Sequence, residues 1–248
     1  MADSVETNQQ ATETISVLVR EGRTFPPLPE FTAQAIIKDT SVYDEAERDF
    51  EGFWLRRAKE FVEWFKEPTK SLEWDPPHCS WFEDGELNVA YNCLDRQVNA
   101  GRGDKVAYHW VTEPVDEEDQ SITFARFKDE VCRFANGLRE LGVRKGDRVG
   151  LYLGMVPQLP IAMLACARIG APHVVVFGGF SPDSLGERMS STGCKVLVTQ
   201  DEAWRKGSAI PLKEIADKAI QQAPTIERMV VFRRTGNTVP MQESRDLW

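Results

Sequence analysis

From Arg148 to Phe232 the chain repeats one pattern, a short apolar run rich in β-branched residues followed by a segment whose apolar residues recur at helical spacing. The strands read as Arg148 to Leu153, Pro172 to Phe177, Lys195 to Thr199 and Arg228 to Phe232. The helices between them read as Pro157 to Ile169, Pro182 to Thr192 and Pro211 to Gln222. Strands separated by helices do not close as hairpins, because each return path crosses a face of the sheet. The arrangement that buries all these faces is a parallel sheet flanked by helices, an α/β fold.

At the middle of this array lies Ala167 to Met189, which reads as its central crossover. Arg168-Ile169-Gly170 closes a helix, and the run Pro172 to Phe177 has the composition of a fully buried parallel strand. Gly178-Gly179 then breaks the pattern. Without Cβ atoms these residues can take unusual backbone angles or let another group come close, and Ser181-Pro182-Asp183 restarts a helix with an N-cap, a first-turn proline and an early carboxylate. Ligands of open parallel sheets sit outside the carboxyl ends of the strands, and this turn lies at such an end. The cationic cluster Trp204-Arg205-Lys206-Gly207-Ser208 follows the strand ending at Thr199 and so belongs to the same edge, where it suits a phosphate. Two plainer readings stay open: glycines that only permit a tight turn, and a solvated cationic loop.

The preceding half is less regular. Residues 1–14 are polar and acidic and read as a disordered tail, and Phe25-Pro26-Pro27-Leu28-Pro29 is extended through its prolines. From Ser41 the period turns helical, placing Phe50, Phe53, Trp54, Ala58, Phe61 and Phe65 as a stripe on one face of a long helix, packed on the main body. Residues 66–104 carry many turn signals and read as an irregular connection, in which Asn88, Tyr91, Asn92, Asp95 and Arg96 could form an ordering polar network. Lys105 to Thr112 and Ser121 to Thr123 form a hairpin-like unit around a solvated acidic loop, Asp116 to Asp119. Thr123 caps the helix Phe124 to Leu141, with Gly142 at its left-handed end.

Composition narrows the function classes. The formal net charge is −9 with no dense Lys/Arg run, which argues against nucleic acid and anionic membranes as partners. The five cysteines are odd in number and irregularly spaced, as reduced thiols are, and Cys132 and Cys166 fall on apolar helix faces. No stretch approaches the roughly 18 apolar residues of a membrane span, and no secretory or mitochondrial leader is visible, so a soluble, cytoplasmic protein is expected. The sequence contains no G-x-G-x-x-G, Walker loop, H-E-x-x-H or G-x-S-x-G motif, and no metal site is expected. His109 and His173 lie in strands without acidic or cysteine partners and read as structural.

Three blocks carry a resemblance: WFEDGELNVAYNCLDR (81–96), the long run from Ile122 to Leu185, and KVLVTQDEAWRKGSAIPLK (195–213). They resemble the N-terminal portion of the acetyl-coenzyme A synthetases, AMP-forming acetate–CoA ligases of the adenylate-forming superfamily. The resemblance implies residues 15–100 as the family's N-terminal extension, helical and irregular, and residues 101–248 as the first part of its AMP-binding domain, a flavodoxin-like βαβ array. It implies a ligase that converts acetate, ATP and CoA to acetyl-CoA through acetyl-adenylate, with Mg ion. It places Phe177, Gly178, Gly179, Arg205, Lys206 and Gly207 at the CoA nucleotide, where the family has an R-x-G-R arrangement near the 3′-phosphate. Here the fourth position is Ser208, and Lys206 is the candidate replacement charge; Gln97 stands where the family often has histidine. The family's phosphate loop, acyl pocket, ribose-binding aspartate and catalytic lysine come later than Trp248, so no catalytic residue is assigned and the 248-residue chain is expected to be inactive, with the remainder of the ligase missing. The alternatives are a non-catalytic CoA- or partner-binding module, and a propionate-preferring ligase of the same family.

Overall fold

The computed structural model describes Gly22 and residues 24–248; the expected tail, 1–14, lies outside the described residues. The chain divides into two compact units, one reaching Trp54 and the other running from Leu55 to Trp248. In the first unit, α1 (Pro29–Gln34) and α2 (Ser41–Arg48) precede α3 (Phe50–Phe61), which continues into the second. The single long helix expected from Ser41 is therefore two. Asp49 leaves helical geometry (φ −148°, ψ 76°), and its Oδ1 accepts the Gly52 N–H at 3.0 Å, so a side-chain cap interrupts a period that reads as continuous. The aromatic stripe is not uniformly packed either: Phe61 and Phe65 are 64% and 62% exposed.

The turn-rich stretch after α3 is more ordered than its sequence suggests. β1 (Leu72–Asp75) and β2 (His78–Trp81) pair antiparallel around Pro76-Pro77, and π-helical turns span Tyr91–Asp95 and Val98–Arg102. Neither advertises itself. The strands are four residues long and mostly exposed, and an i to i+5 helix does not share the α period. The polar network is present: Asn88 Nδ2 donates to the carbonyls of Ala167 and Arg168 at 3.1 and 3.2 Å, Asn92 exchanges hydrogen bonds with the Glu63 backbone, Tyr91 donates to Glu63, and Arg96 donates to Phe61 O. Asp95 pairs with Arg168 at 2.5 Å, pinning the π-helical turns to the end of a later helix.

β3 (Val106–Trp110) and β4 (Gln120–Thr123) form the expected hairpin, in which His109 Nδ1 lies 2.9 Å from Ser121 Oγ. Thr123 Oγ1 accepts the Arg126 N–H and starts α4 (Phe124–Glu140), and Gly142 turns left-handed at φ 87° just after it. The chain then builds a five-stranded parallel sheet from β5 (Val149–Leu151), β6 (His173–Val175), β7 (Val196–Gln200), β10 (Arg228–Phe232) and β11 (Asp246–Leu247). The helices α5 (Gln158–Ile169), α6 (Pro182–Thr192) and α7 (Leu212–Ala219) connect the first four, and a small antiparallel hairpin of β8 (Ala203–Arg205) and β9 (Ser208–Ile210) precedes α7.

The spatial order is β11-β10-β7-β5-β6, so that counting only these strands gives the 2-1-3-4-5 sequence of flavodoxin-like sheets. Strand periodicity distributes two cores. Val149, Leu151, Val196 and Val198 pack against α4 and α5, whereas Leu197, Met229 and Val231 face α6 and α7. One expectation is corrected: β6 is an edge strand, with Val175 46% exposed, and is neither fully buried nor central. A β-branched run reads the same whether it has one neighbour or two. Among the described residues no helix is long and apolar enough to cross a membrane. All five cysteines are free, and burial raises the Cys166 thiol to about 12.

The short β11 is held by charge. Lys213, fully buried on α7, contacts Asp217 at 2.7 Å and Asp246 at 3.0 Å, and Arg245 reaches Asp217 at 2.6 Å and Asp246 at 2.5 Å. Burial pushes the Asp246 carboxyl up, but hydrogen bonds from Arg245, the Gln242 amide and Lys213 outweigh it and hold it below the ordinary 3.8. Lys213→Met leaves a buried carboxylate short of a partner and is expected to cost about 3 kcal/mol in urea unfolding. The Asp246 contribution is present above the unfolded-state value and is lost as pH falls through the lower folded one. Asp246→Asn is therefore expected to flatten the fall in stability below about pH 4.

Candidate functional site

In an open α/β sheet the crevice forms where neighbouring strands send their connections in opposite directions, here between β5 and β7. A cavity of ≈ 380 Å³ lies at that place, outside the carboxyl ends of the strands. The residues after β5 (Leu153 to Val156), the end of β7 (Gln200) and Arg234 after β10 line it, with Phe177 and Gly178 after β6 and the β8–β9 hairpin on one side and Trp110 to Glu113 on another.

The end of β7 supports this crevice. Thr199, Gln200 and Asp201 are fully buried polar residues, and each satisfies backbone left unpaired by the diverging strands. Thr199 Oγ1 donates to Tyr152 O at 2.9 Å. Gln200 Oε1 accepts the Gly154 N–H at 2.9 Å while its Nε2 donates to Glu202 O at 2.6 Å. The Asp201 carboxylate accepts the N–H groups of Arg234 (2.8 Å), Thr235 (3.1 Å) and Gly236 (2.9 Å), fixing the loop from which Arg234 enters the cavity wall. Arg234 grips Glu117 with both terminal nitrogens and lies 5.3 Å over the Trp110 ring, whose Nε1 donates to Met155 O. The acidic loop is thus not simply solvated: Glu117 braces the cavity, and Glu113 Oε1 accepts the Gly207 N–H at 3.1 Å.

Four of the six residues singled out in the sequence are brought together. Arg205, at the end of β8, crosses to the Gly178-Gly179 turn and stacks over Phe177 with its guanidinium carbon 4.8 Å from the ring centre. A Cβ on Gly179 would overlap Arg205 Nη1 and come within 2.9 Å of Phe177 Cε1; on Gly178 it would meet Leu153 O at 3.4 Å. Neither has positive φ, so close approach is what Gly179 supplies, whereas a Cβ on Gly178 would make only ordinary contacts. Lys206 and Gly207 form the tip of the β8–β9 hairpin, both left-handed at φ 51° and 73°, and are not part of the cavity lining. Glycine takes that conformation freely; Lys206 takes it under strain, and its side chain is held out on an exposed tip.

Tyr152 was not legible as a site residue. Wholly buried, it donates its hydroxyl to Phe180 O at 3.1 Å and lies 3.5 Å from Gly178 O, and burial lifts it to about 12. It fastens the glycine turn from beneath. A tyrosine amid strand residues gives no such signal, whereas the polar run Thr199-Gln200-Asp201 at a strand end does. Among the described residues no cluster of three or more His, Cys, Asp or Glu could hold a metal ion.

Two substitutions test the turn. Tyr152→Phe keeps the packing and removes the hydroxyl, and is expected to cost about 1 kcal/mol and to speed amide exchange at residues 178–180. Gly179→Ala is expected to displace the flexible end of Arg205 rather than unfold the chain, costing about 0.5–1 kcal/mol and abolishing the ring-current shift of the Arg205 side-chain protons over Phe177.

Two family models match the chain in succession. The family model described as AMP-binding enzyme matches residues 94–246, and that described as acetyl-coenzyme A synthetase N-terminus matches 40–93. An acetyl-coenzyme A synthetase of Rubrobacter xylanophilus is 53% identical over 226 residues, covering 91% of this chain and 35% of that protein. One of Streptomyces coelicolor is 47% identical over 237 residues, covering 95% and 36%. The solved acetoacetyl-CoA synthetase from Streptomyces lividans superposes with a TM-score of 0.76 at 25% identity, over 89% of this chain and 36% of that one. The chain thus spans about a third of the length of these relatives.

Proposed function

Since the chain belongs to the AMP-binding enzyme family, with a segment of the acetyl-coenzyme A synthetase N-terminal type ahead of it, we propose that it is the N-terminal part of an acetate–CoA ligase and contributes part of the CoA site. The whole ligase would join acetate to CoA by way of acetyl-adenylate, with ATP as the adenylating substrate and AMP and pyrophosphate as products. In this reading residues 15–100 are the N-terminal extension and residues 101–248 the first part of the adenylate-forming domain.

One observation carries the CoA assignment: Arg205 lies against Gly179 and over Phe177, so that a guanidinium, an exposed aromatic face and an accessible backbone converge at the carboxyl edge of the sheet. Among the described residues Arg205 has no carboxylate partner, which leaves its charge available to a phosphate. Lys206 supplies a second charge at the hairpin tip, in the place of the arginine that Ser208 replaces. No step through a Mg ion is assigned to the described residues.

Calorimetry of the 248-residue chain with CoA and 3′-dephospho-CoA tests the reading. Lys206→Ala is expected to weaken CoA binding about tenfold and leave dephospho-CoA binding unchanged, as loss of one charge-assisted contact to the 3′-phosphate requires. Equal CoA affinity in the variant would remove Lys206 from the site. The same chain mixed with acetate and ATP is expected to release no pyrophosphate, because the family's adenylation segments have no counterpart in its 248 residues; measurable release would overturn that division of labour.

A further inference from the structure

The stack of Arg205 on Phe177 does not end there. Phe177 meets Phe180 edge to face, with ring centres 6.3 Å apart and planes at 88°, and Arg188 of α6 lies over Phe180 with its guanidinium carbon 4.7 Å from the ring centre. The result is a continuous row, Arg205, Phe177, Phe180, Arg188, in which two cations flank two linked rings. Both rings are accessible, Phe177 at 54% and Phe180 at 39%, and both arginines are exposed.

Arg188 is aimed, not free. Its Nη1 donates back one helical turn to Ser184 O at 3.0 Å and to Ser184 Oγ at 2.5 Å, which holds the guanidinium against Phe180. Its charge is uncompensated: among the described residues Arg188 makes no ion pair, and the nearby first-turn carboxylate, Asp183, is occupied by Gln222 Nε2 at 2.8 Å. Among the described residues, exposed arginines without an ion pair occur elsewhere in the chain, Arg126 and Arg139 among them; Arg188 and Arg205 differ in being stacked on two rings that touch each other. Two unpaired ones fixed at opposite ends of an aromatic row match a ligand that carries phosphate groups at two separate points.

We propose that Arg188 contacts the 5′-diphosphate of the CoA ligand, at the end of the row away from the Arg205–Lys206 hairpin. This rests on the CoA reading above and adds to it a residue on a different element. The hairpin serves the 3′-phosphate, the Phe177–Phe180 pair lines the surface between, and α6 supplies the second cation. No bond is made or broken; the contact contributes affinity and orients the ligand along the row.

Calorimetry on the 248-residue chain separates the outcomes. Arg188→Ala is expected to weaken CoA and 3′-dephospho-CoA alike, each about tenfold, because both retain the diphosphate. Arg188→Lys is expected to recover part of the loss, and both variants to keep the wild-type urea midpoint, since the side chain is exposed. Unchanged affinity of Arg188→Ala for both ligands would overturn the proposal while leaving the CoA reading intact. Weakening confined to CoA would also overturn it, by assigning Arg188 to the 3′-phosphate. Failure of the wild-type chain to bind either ligand would instead sink the CoA reading itself.

Discussion

Strand β7 is shared by the two cores that flank the parallel sheet. Val196 and Val198 close one core and Leu197 the other, so the strand cannot shift by a residue without exposing both. Its last residues then change character, from apolar to Thr199, Gln200 and Asp201, at the point where β5 and β7 part company. A crevice of this kind exposes backbone groups that a continued sheet would have paired, and burying them unmet would cost about 1–3 kcal/mol each. Those three side chains meet them with hydrogen bonds to Tyr152, Gly154 and residues 234–236. The cavity persists because its walls are satisfied by β7, and the residues that reach into it inherit their positions from that strand.

Charge is arranged with the same economy. The chain carries nine more acidic than basic residues, yet the carboxylates around the crevice are committed elsewhere: Glu117 to Arg234, Glu113 to the Gly207 amide, Asp201 to three amides and Asp183 to Gln222. Among the described residues this leaves Arg205 and Arg188 without a carboxylate partner, Arg188 being bonded only to Ser184. Stacking on Phe177 and Phe180 holds the two guanidinium groups in place without neutralising them, which an ion pair would do. An acidic protein can in this way keep a local cationic surface.

How much of this was legible depended on whether a signal was local. Thr123 with Gly142 around α4, and Ser181-Pro182 at α6, give cap and period together, and both helices lie where expected. Four of the five strands of the sheet were visible too, all but the two-residue β11, but not their order, because strand order is set by which faces find each other and leaves no trace in a run such as Pro172 to Phe177. Hence the edge position of β6 was missed. The hairpin β8–β9 and the break at Asp49 were hidden for the opposite reason: each depends on one or two residues, a left-handed Lys206-Gly207 pair and a single capping carboxylate, too few to disturb an average. In the site, the glycines and Arg205 were readable by residue type, whereas Tyr152 and Glu117 matter only through partners far away in sequence.

The chemistry of the crevice sets what it can contribute. Proton transfer needs a group that changes charge near neutrality with a free lone pair or proton to use. The Tyr152 hydroxyl is held up at about 12 and spent on backbone carbonyls, Asp201 is consumed by amides, and Glu117 is locked against Arg234. What remains presented is a pair of guanidinium groups, two aromatic rings and a glycine that admits close approach. Such groups recognise and orient. On the CoA reading proposed above, the part this surface serves is the holding of a nucleotide-bearing substrate, and the reacting atom is met by groups from outside it.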